Sequence, residues 1–368
     1  MSVTTLRPAL VPVTSSWHRS AATLPPETAA PATPFHSRTW SAAWQKVTTE
    51  PVLRHQHLHL EEGGRTHVLP FQLIDSSPMW RALELGAGVA RPTWTEPVVY
   101  APSMYGEYGG LPGASRAVLA EAVDQGRWLT RDWGATALVV PNLPPSDLEE
   151  WTRARPADAQ VTLCWAHQAP VHGSLEGFVA AMPSPKVRTE FRRQYKRGTE
   201  AGLRLRVEAG PSILNHLPQF TKFAVHTSER HGPALYGMDM LRPLTAVPGA
   251  VALLAEDSHG ALAGGFLCFR YGQTLYLWAA AIDQRRKRDL HTYGWLMAQS
   301  VRYAADTGAT VIDAGRANYA YKHRIGLDPV PLTSLVYLTR SAPRLVSRIA
   351  GLNSAVQQQT GLAWKQAA

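Results

Sequence analysis

Seven residues with reactive or charged side chains crowd into the twelve positions 313–324: Asp313, Arg316, Tyr319, Tyr321, Lys322, His323 and Arg324. They follow ATVI, a buried-strand pattern, and α/β folds set their sites where strand ends meet loops. Transfer of an activated acyl group to an amine needs a neutral amine, a stabilised oxyanion and a proton for the leaving atom. Asp313, Arg316, Tyr321 and Lys322 are the catalytic candidates for that chemistry. Lys322 suits an oxyanion or a phosphate, the alternative being a solvated loop lysine. For Asp313 the alternative to a catalytic part is a turn cap before Gly315.

A second constellation is the loop Tyr105-Gly-Glu-Tyr-Gly-Gly110. Tyr105 and Tyr108 can line a pocket, and Glu107 can receive a proton or bind an ammonium. A hairpin turn with packed aromatics would look the same. Trp278 and Tyr319 complete the substrate-binding candidates. Of the histidines, His55, His57 and His59 alternate on one strand, which reads as a half-exposed face with no matching Cys or carboxylate to complete a metal site.

The third feature is positive charge. Arg188, Arg192 and Lys196 stand at i, i+4 and i+8 on a helical run, flanked by Arg193 and Arg197. Like charges at that spacing destabilise an isolated helix, and an anionic partner offsets this. The run QRRKRD, with Arg285 and Arg288, precedes a helix whose first residues include His291, Tyr293 and Gly294. Helix N-termini attract phosphates, so these residues are donor or phosphate candidates. A solvated charge run is the plain alternative for both.

The elements that must position these groups are legible in outline. Residues 1–33 are rich in Pro, Ala and Thr and read as a mobile tail, with order beginning near Phe35. RHQHLHLEEGGRTHVLPFQLI reads as a hairpin turning at Glu61–Gly64. VVY, ATALVVPNLP and QVTLCWAHQAPV read as strands, with RAVLAEAVDQGRWLTRDWG an amphipathic helix between the first two. After residue 184 the order is basic helix, strand, helix, three strands, helix, strand, strand and a terminal helix. Gly198 or Gly202 stops the basic helix. The class is mixed α/β.

Composition agrees. The chain has 368 residues, 45% hydrophobic, with 12 Trp. That is long for one core, so two lobes are expected: 34–183 and 184–340, followed by a helix over 341–368. Residues 1–184 carry 13 Lys and Arg against 16 Asp and Glu, and residues 185–368 carry 24 against 12. Such asymmetry points to a polyanionic partner of the second half. Cys164 and Cys268 lie far apart in apolar runs, which excludes a disulfide framework and cysteine-rich zinc binding. With no long apolar run and no secretory leader, the expected location is cytoplasmic, with no membrane contact.

The order of motifs from the basic helix through AGGFLCFRYGQTLYLWAAAID and LHTYGWLMAQSVRYAADTGATVIDAG to Tyr321-Lys322-His-Arg-Ile-Gly326 resembles the C-terminal lobe of Fem-type and related N-acyltransferases of the GNAT superfamily. The last segment is similar to that group's Tyr-Lys-x-x-Phe-Gly element. The resemblance implies tandem GNAT-like lobes, no bound cofactor or metal, and acyl-coenzyme A or aminoacyl-tRNA as co-substrate. Two departures bear on the substrates. The usual coenzyme A loop is absent from RRKRDLHTYG, which keeps Gly294 alone. The coiled-coil arm of the cell-wall enzymes is missing too. The expected activity is therefore transfer of an aminoacyl group from tRNA to a small-molecule amine. Acyl-coenzyme A-dependent N-acylation and non-catalytic RNA binding on a decayed transferase fold are the alternatives.

Overall fold

The computed structural model describes residues 12–27, 30–45, 47–229 and 235–367, with side chains as far as 361. The N-terminal half supplies strands β1 (Thr14–His18), β2 (Val52–Glu62), β3 (Arg65–Ile74), β4 (Val98–Tyr100), β5 (Ala137–Leu143) and β6 (Ala159–Pro170). Its helices are α1 (Arg38–Trp44), α2 (Pro78–Gly86), α3 (Arg116–Asp132), α4 (Pro145–Ala154) and α5 (Leu175–Ala180). The second half runs α6 (Pro185–Glu200), β7 (Arg204–Ala209), α7 (Leu217–Glu229), α8 (Met238–Leu244), β8 (Ala250–Glu256), β9 (Leu262–Tyr271) and β10 (Thr274–Ile282). It closes with α9 (Lys287–Leu290), α10 (Thr292–Asp306), β11 (Val311–Asp313), α11 (Tyr319–Arg324), β12 (Asp328–Leu338) and α12 (Pro343–Ala367).

All twelve strands join one mixed sheet in the order β1-β2-β3-β4-β5-β12-β6-β11-β10-β9-β8-β7. The boundary expected near 184 is therefore crossed at three junctions of the sheet. β6, from the first half, pairs with β11 and β12 of the second, and β12 pairs with β5. The reason lies in β12 itself. LTSLVYL is buried along its whole length, so it needs a neighbour on each edge and cover on both faces. One face of the sheet carries a core running through both halves, from Trp80 to Phe220. The other face carries two cores, one around Phe71 and Val123 under α3, the other around Phe266 and Trp295 under α10.

The mobile tail expected over 1–33 is corrected for its described part. β1 pairs antiparallel with β2, Trp17 packs edge-on against Phe71 with centroids 5.2 Å apart, and Ala21 and Leu24 are buried. A five-residue strand with one large apolar side chain is too short for periodicity to reveal; its register comes from the β2 edge. The same strand explains why His57 and His59 are buried rather than half-exposed, with the His18 ring 6.0 Å from that of His59. α6 ends at Gly202, whose φ of +85° suits glycine. Gly198 lies inside the helix, where a Cβ would stand 2.8 Å from Trp295 Cβ, so it lets α6 and α10 approach. Both cysteines are free and buried. Among the described residues no helix is long and apolar enough to cross a membrane.

Candidate active site at the seam of the two halves

Three neighbouring strands set one row of side chains. Tyr276 on β10 pairs with Asp313 at the end of β11, and Asp313 pairs with Gln168 on β6. β10 and β11 run parallel for three residue pairs and then stop pairing, β10 being bulged between Leu277 and Ala279. Onto this row comes the loop after β4. Tyr108 donates to Asp313 Oδ2 at 2.5 Å, and Gln168 Nε2 donates to both the Tyr108 oxygen (2.7 Å) and Asp313 Oδ2 (3.1 Å). Asp313 Oδ1 accepts from Gly315 N at 2.9 Å. Asp313 is 0% exposed. Burial pushes its carboxyl up, while the bonds from Tyr108 and Gln168 oppose the shift. Burial and the carboxylates of Asp313 and Glu107 push the Tyr108 phenol far above its ordinary range, so it stays protonated.

Beyond β11 the chain turns through Gly315, Ala317 and Asn318, all with positive φ. Ala317 at +63° is a strained backbone of the sort concentrated at functional sites. A buried lysine and a partly buried arginine fix this turn. Lys322, 2% exposed, donates to the carbonyls of Gly315 (2.9 Å) and Arg316 (2.8 Å). Arg316 donates to Met104 O at 2.8 Å, and its Nε stands 3.5 Å from Glu107 Oε2. Glu107 is 3% exposed, and its Oε1 is buried with no hydrogen-bond partner among the described residues. Burial raises the Glu107 carboxyl, Arg316 lowers it, and Asp313 adds to the rise. Burial drives the Lys322 ammonium down toward neutrality against the pull of Glu107 and Asp313.

Two tyrosines of the sequence analysis part company here. Tyr319 stays at the site, stacked on His167 with centroids 5.3 Å apart. Tyr321, on the same short helix, packs instead against Tyr293 (5.2 Å) and Arg324 (5.4 Å). It is separated from Lys322 because neighbouring residues of a helix face different ways. Trp278 Nε1 donates to Tyr105 O at 2.8 Å, and the buried Tyr105 hydroxyl has no partner among the described residues. Lys322 is neither solvated nor free, since its known partners are backbone carbonyls.

Residues that sequence reasoning missed complete the site. Asn142, at φ +58°, donates to Met104 O (3.0 Å) and Gly106 O (2.7 Å) and so braces the loop carrying Glu107. Tyr236 packs edge-on against Trp278 at 5.6 Å. Behind the loop, the fully buried Glu50 accepts from Ser103 at 2.9 Å, and burial raises its carboxyl to about 7. The one available signal was a polar residue inside an apolar strand, as for Gln168 and Asn142. Cys164, with its thiol pushed up to about 11 by burial, is no nucleophile at neutral pH.

The donor candidates lie on the flank formed by α6 and the start of α10. Gly294 faces Gln194, and Trp295 Nε1 donates to Thr199 at 3.1 Å. His291 precedes α10 in a left-handed conformation, φ 52°. Arg285 and Arg288 are exposed just before it. On α6, Arg192 meets Glu176 at 2.9 Å, Arg193 meets Glu190, and Lys196 stands 3.6 Å from Glu200. Arg188 donates to Met182 O. These are exposed pairs, worth little against a phosphate.

Residues 185–323 match the family model described as an acetyltransferase (GNAT) domain. Among solved structures, the chain is similar to FemX, with 11% identity, a TM-score of 0.55, and 85% of this chain and 94% of that chain covered. It is also similar to L-PGS from Bacillus licheniformis, with 13% identity, a TM-score of 0.50, and 77% and 86% covered. At such identities the likeness is one of fold. No curated protein matches the chain in sequence. The mixed sheet around the turn from Asp313 to Lys322 is Fem-like in fold, and with residues 185–323 matching a GNAT domain the chain is an acyltransferase.

Proposed function

We propose that this acyltransferase moves an aminoacyl group from tRNA to the amine of a small molecule, forming an amide. The observation that carries the chemistry is the unpartnered, buried Glu107 Oε1 set against Arg316 where the strands β10 and β11 part. The acceptor arrives as the free amine. Its nitrogen attacks the aminoacyl carbonyl and gives one proton to Glu107 Oε1. As the C–N bond forms and the ester C–O bond breaks, that proton passes to the departing ribose oxygen. Glu107, lifted by burial, is suited to hold a proton briefly near neutral pH. Arg316 and Lys322 supply a positive field for the oxyanion and hold the turn; Tyr108, Asp313 and Gln168 lock the loop in place. Trp278, Tyr105 and Tyr319 form the aromatic wall for the acceptor.

The tRNA donor is favoured by the exposed basic flank of α6 and by Arg285 and Arg288, and by the Fem-like fold. The second reading, an acyl-coenzyme A donor, is favoured by the description of the matching family model. Single-turnover transfer from charged tRNA and from acyl-coenzyme A to a panel of small amines decides between them. Transfer from tRNA alone, lost in Glu107→Gln, is the expected result. Transfer from acyl-coenzyme A alone replaces the donor, and undiminished transfer by Glu107→Gln removes the proposed base.

A further inference from the structure

A cavity of about 490 Å³, within the range of small-molecule sites, is lined in part by Leu111 and Pro112, just beyond the Glu107–Tyr108 loop. Its walls differ in character. One is apolar, made by Pro25, Pro31, Leu111 and Pro112. The other carries His36, Arg38 and His59. His59 is 8% exposed, and its Nε2 is buried without a hydrogen-bond partner among the described residues. A buried imidazole nitrogen left unmatched costs about 1–3 kcal/mol, so a ligand atom opposite it gains affinity by supplying the partner. Arg38 spends Nη2 on Ala22 O at 2.7 Å, and neither its Nε nor its Nη1 has a partner among the described residues. Glu27 is the acid lining the cavity, and it is occupied by the Arg38 backbone N–H at 2.6 Å.

We infer that this cavity is a binding site for a small organic acid, distinct from the transfer site. Its carboxylate meets the free edge of the Arg38 guanidinium, which suits planar anions, and the imidazole of His59. Its apolar body lies on the proline wall. The site touches the catalytic loop: His36 Nε2 is 3.2 Å from Gly109 O, two residues beyond Glu107, and Leu111 and Pro112 continue that loop.

Benzoate is the probe, benzamide its neutral counterpart and inorganic phosphate an anion without a body. The full-length protein is titrated with each by calorimetry, with the histidine side-chain NMR signals followed alongside. Benzoate should bind one-to-one at about millimolar concentration or below, as expected for so small a ligand, and should shift the His59 signal. Benzamide and phosphate should bind at least about tenfold more weakly, the loss expected when a charge-assisted bond or the apolar contact is missing. Arg38→Gln should weaken benzoate by a similar factor while retaining the parent's circular dichroism. Should Arg38→Gln fail to fold, the benzoate–benzamide comparison on the parent protein still decides. No binding of benzoate, equal binding of benzamide, or a His59 signal unmoved at saturation overturns the proposal.

Discussion

Tyr108 and Asp313 stand 205 positions apart in the chain and share a 2.5 Å hydrogen bond, with Gln168 donating to both oxygens. The two halves are therefore joined at the site itself, and the loop bearing Glu107 is fixed by a residue of the opposite half. Tyr108→Phe keeps the ring contacts with Phe35 and Tyr276 but deletes this bond. Turnover should fall about 10- to 100-fold through loss of loop positioning. An unchanged single-turnover rate would mean that the loop is held by packing alone.

Lys322→Ala should cost stability as well as rate. It removes the donor to the carbonyls of Gly315 and Arg316 and takes the Lys322 charge away from Asp313, while Glu107 keeps Arg316. Unmatched buried groups cost about 1–3 kcal/mol each, so denaturant unfolding should show a loss of about 2 kcal/mol or more. A mutant as stable as the parent and merely slow would return Lys322 to a purely chemical role.

Glu50 supplies a pH test. Its folded-state pKa, raised by burial, is about 7 against an ordinary value of 4.5. Below the ordinary value the carboxyl is neutral in both states and burial carries no ionisation cost. As pH rises from 4.5 to about 7, the unfolded chain ionises first and folding loses on the order of 3 kcal/mol. Glu50→Gln lacks this cost, so its stability relative to the parent should climb across that window and level off above it. Urea titrations at pH 4.5, 6 and 8 measure the climb; a constant difference would show that Glu50 is not held neutral.

What the sequence disclosed follows from the range of the interactions involved. The hairpin of β2 and β3, the α10–β11 succession ending in Asp313, and the loop with Glu107 and Tyr108 are local patterns, and each was legible. That Tyr108 reaches Asp313 was not, because the contact depends on strand order. The placement of β12 between β5 and β6 leaves no periodic trace in any of the three strands. Lys322 and Tyr321 looked equivalent in sequence; one residue of helical rotation sends the first to the turn and the second to Tyr293. β1 was hidden by its polar composition, its partner being a strand 34 or more positions away.

Salt dependence should identify the donor. If the flank of α6 meets tRNA phosphates, affinity falls with a log–log slope of about −0.7 to −0.9 per phosphate contacted. Arg192→Ala with Lys196→Ala should flatten that slope by about two contacts and raise the Michaelis constant, with the rate at saturation preserved. Identical binding by parent and double mutant at every salt concentration would make α6 a solvated face.

Truncating the chain at residue 33 should lower the melting temperature by several degrees. The cut removes β1, the Trp17–Phe71 contact and the buried Ala21 and Leu24, at about 25 cal/mol per Å² of apolar surface. A truncated protein melting with the parent would show that β1 adds nothing to the sheet.

The seating of β12 has a consequence for how the molecule comes into being. Of the described strands it comes last in the chain, yet it fills a gap in the middle of the sheet. Until residue 338 has left the ribosome, β5 lacks a partner on one edge, and β6 must wait for both β11 and β12. Neither half of the sheet can be completed before that point, and these apolar edges stay open to other chains until then. A fragment ending near residue 184 would keep that vulnerability permanently.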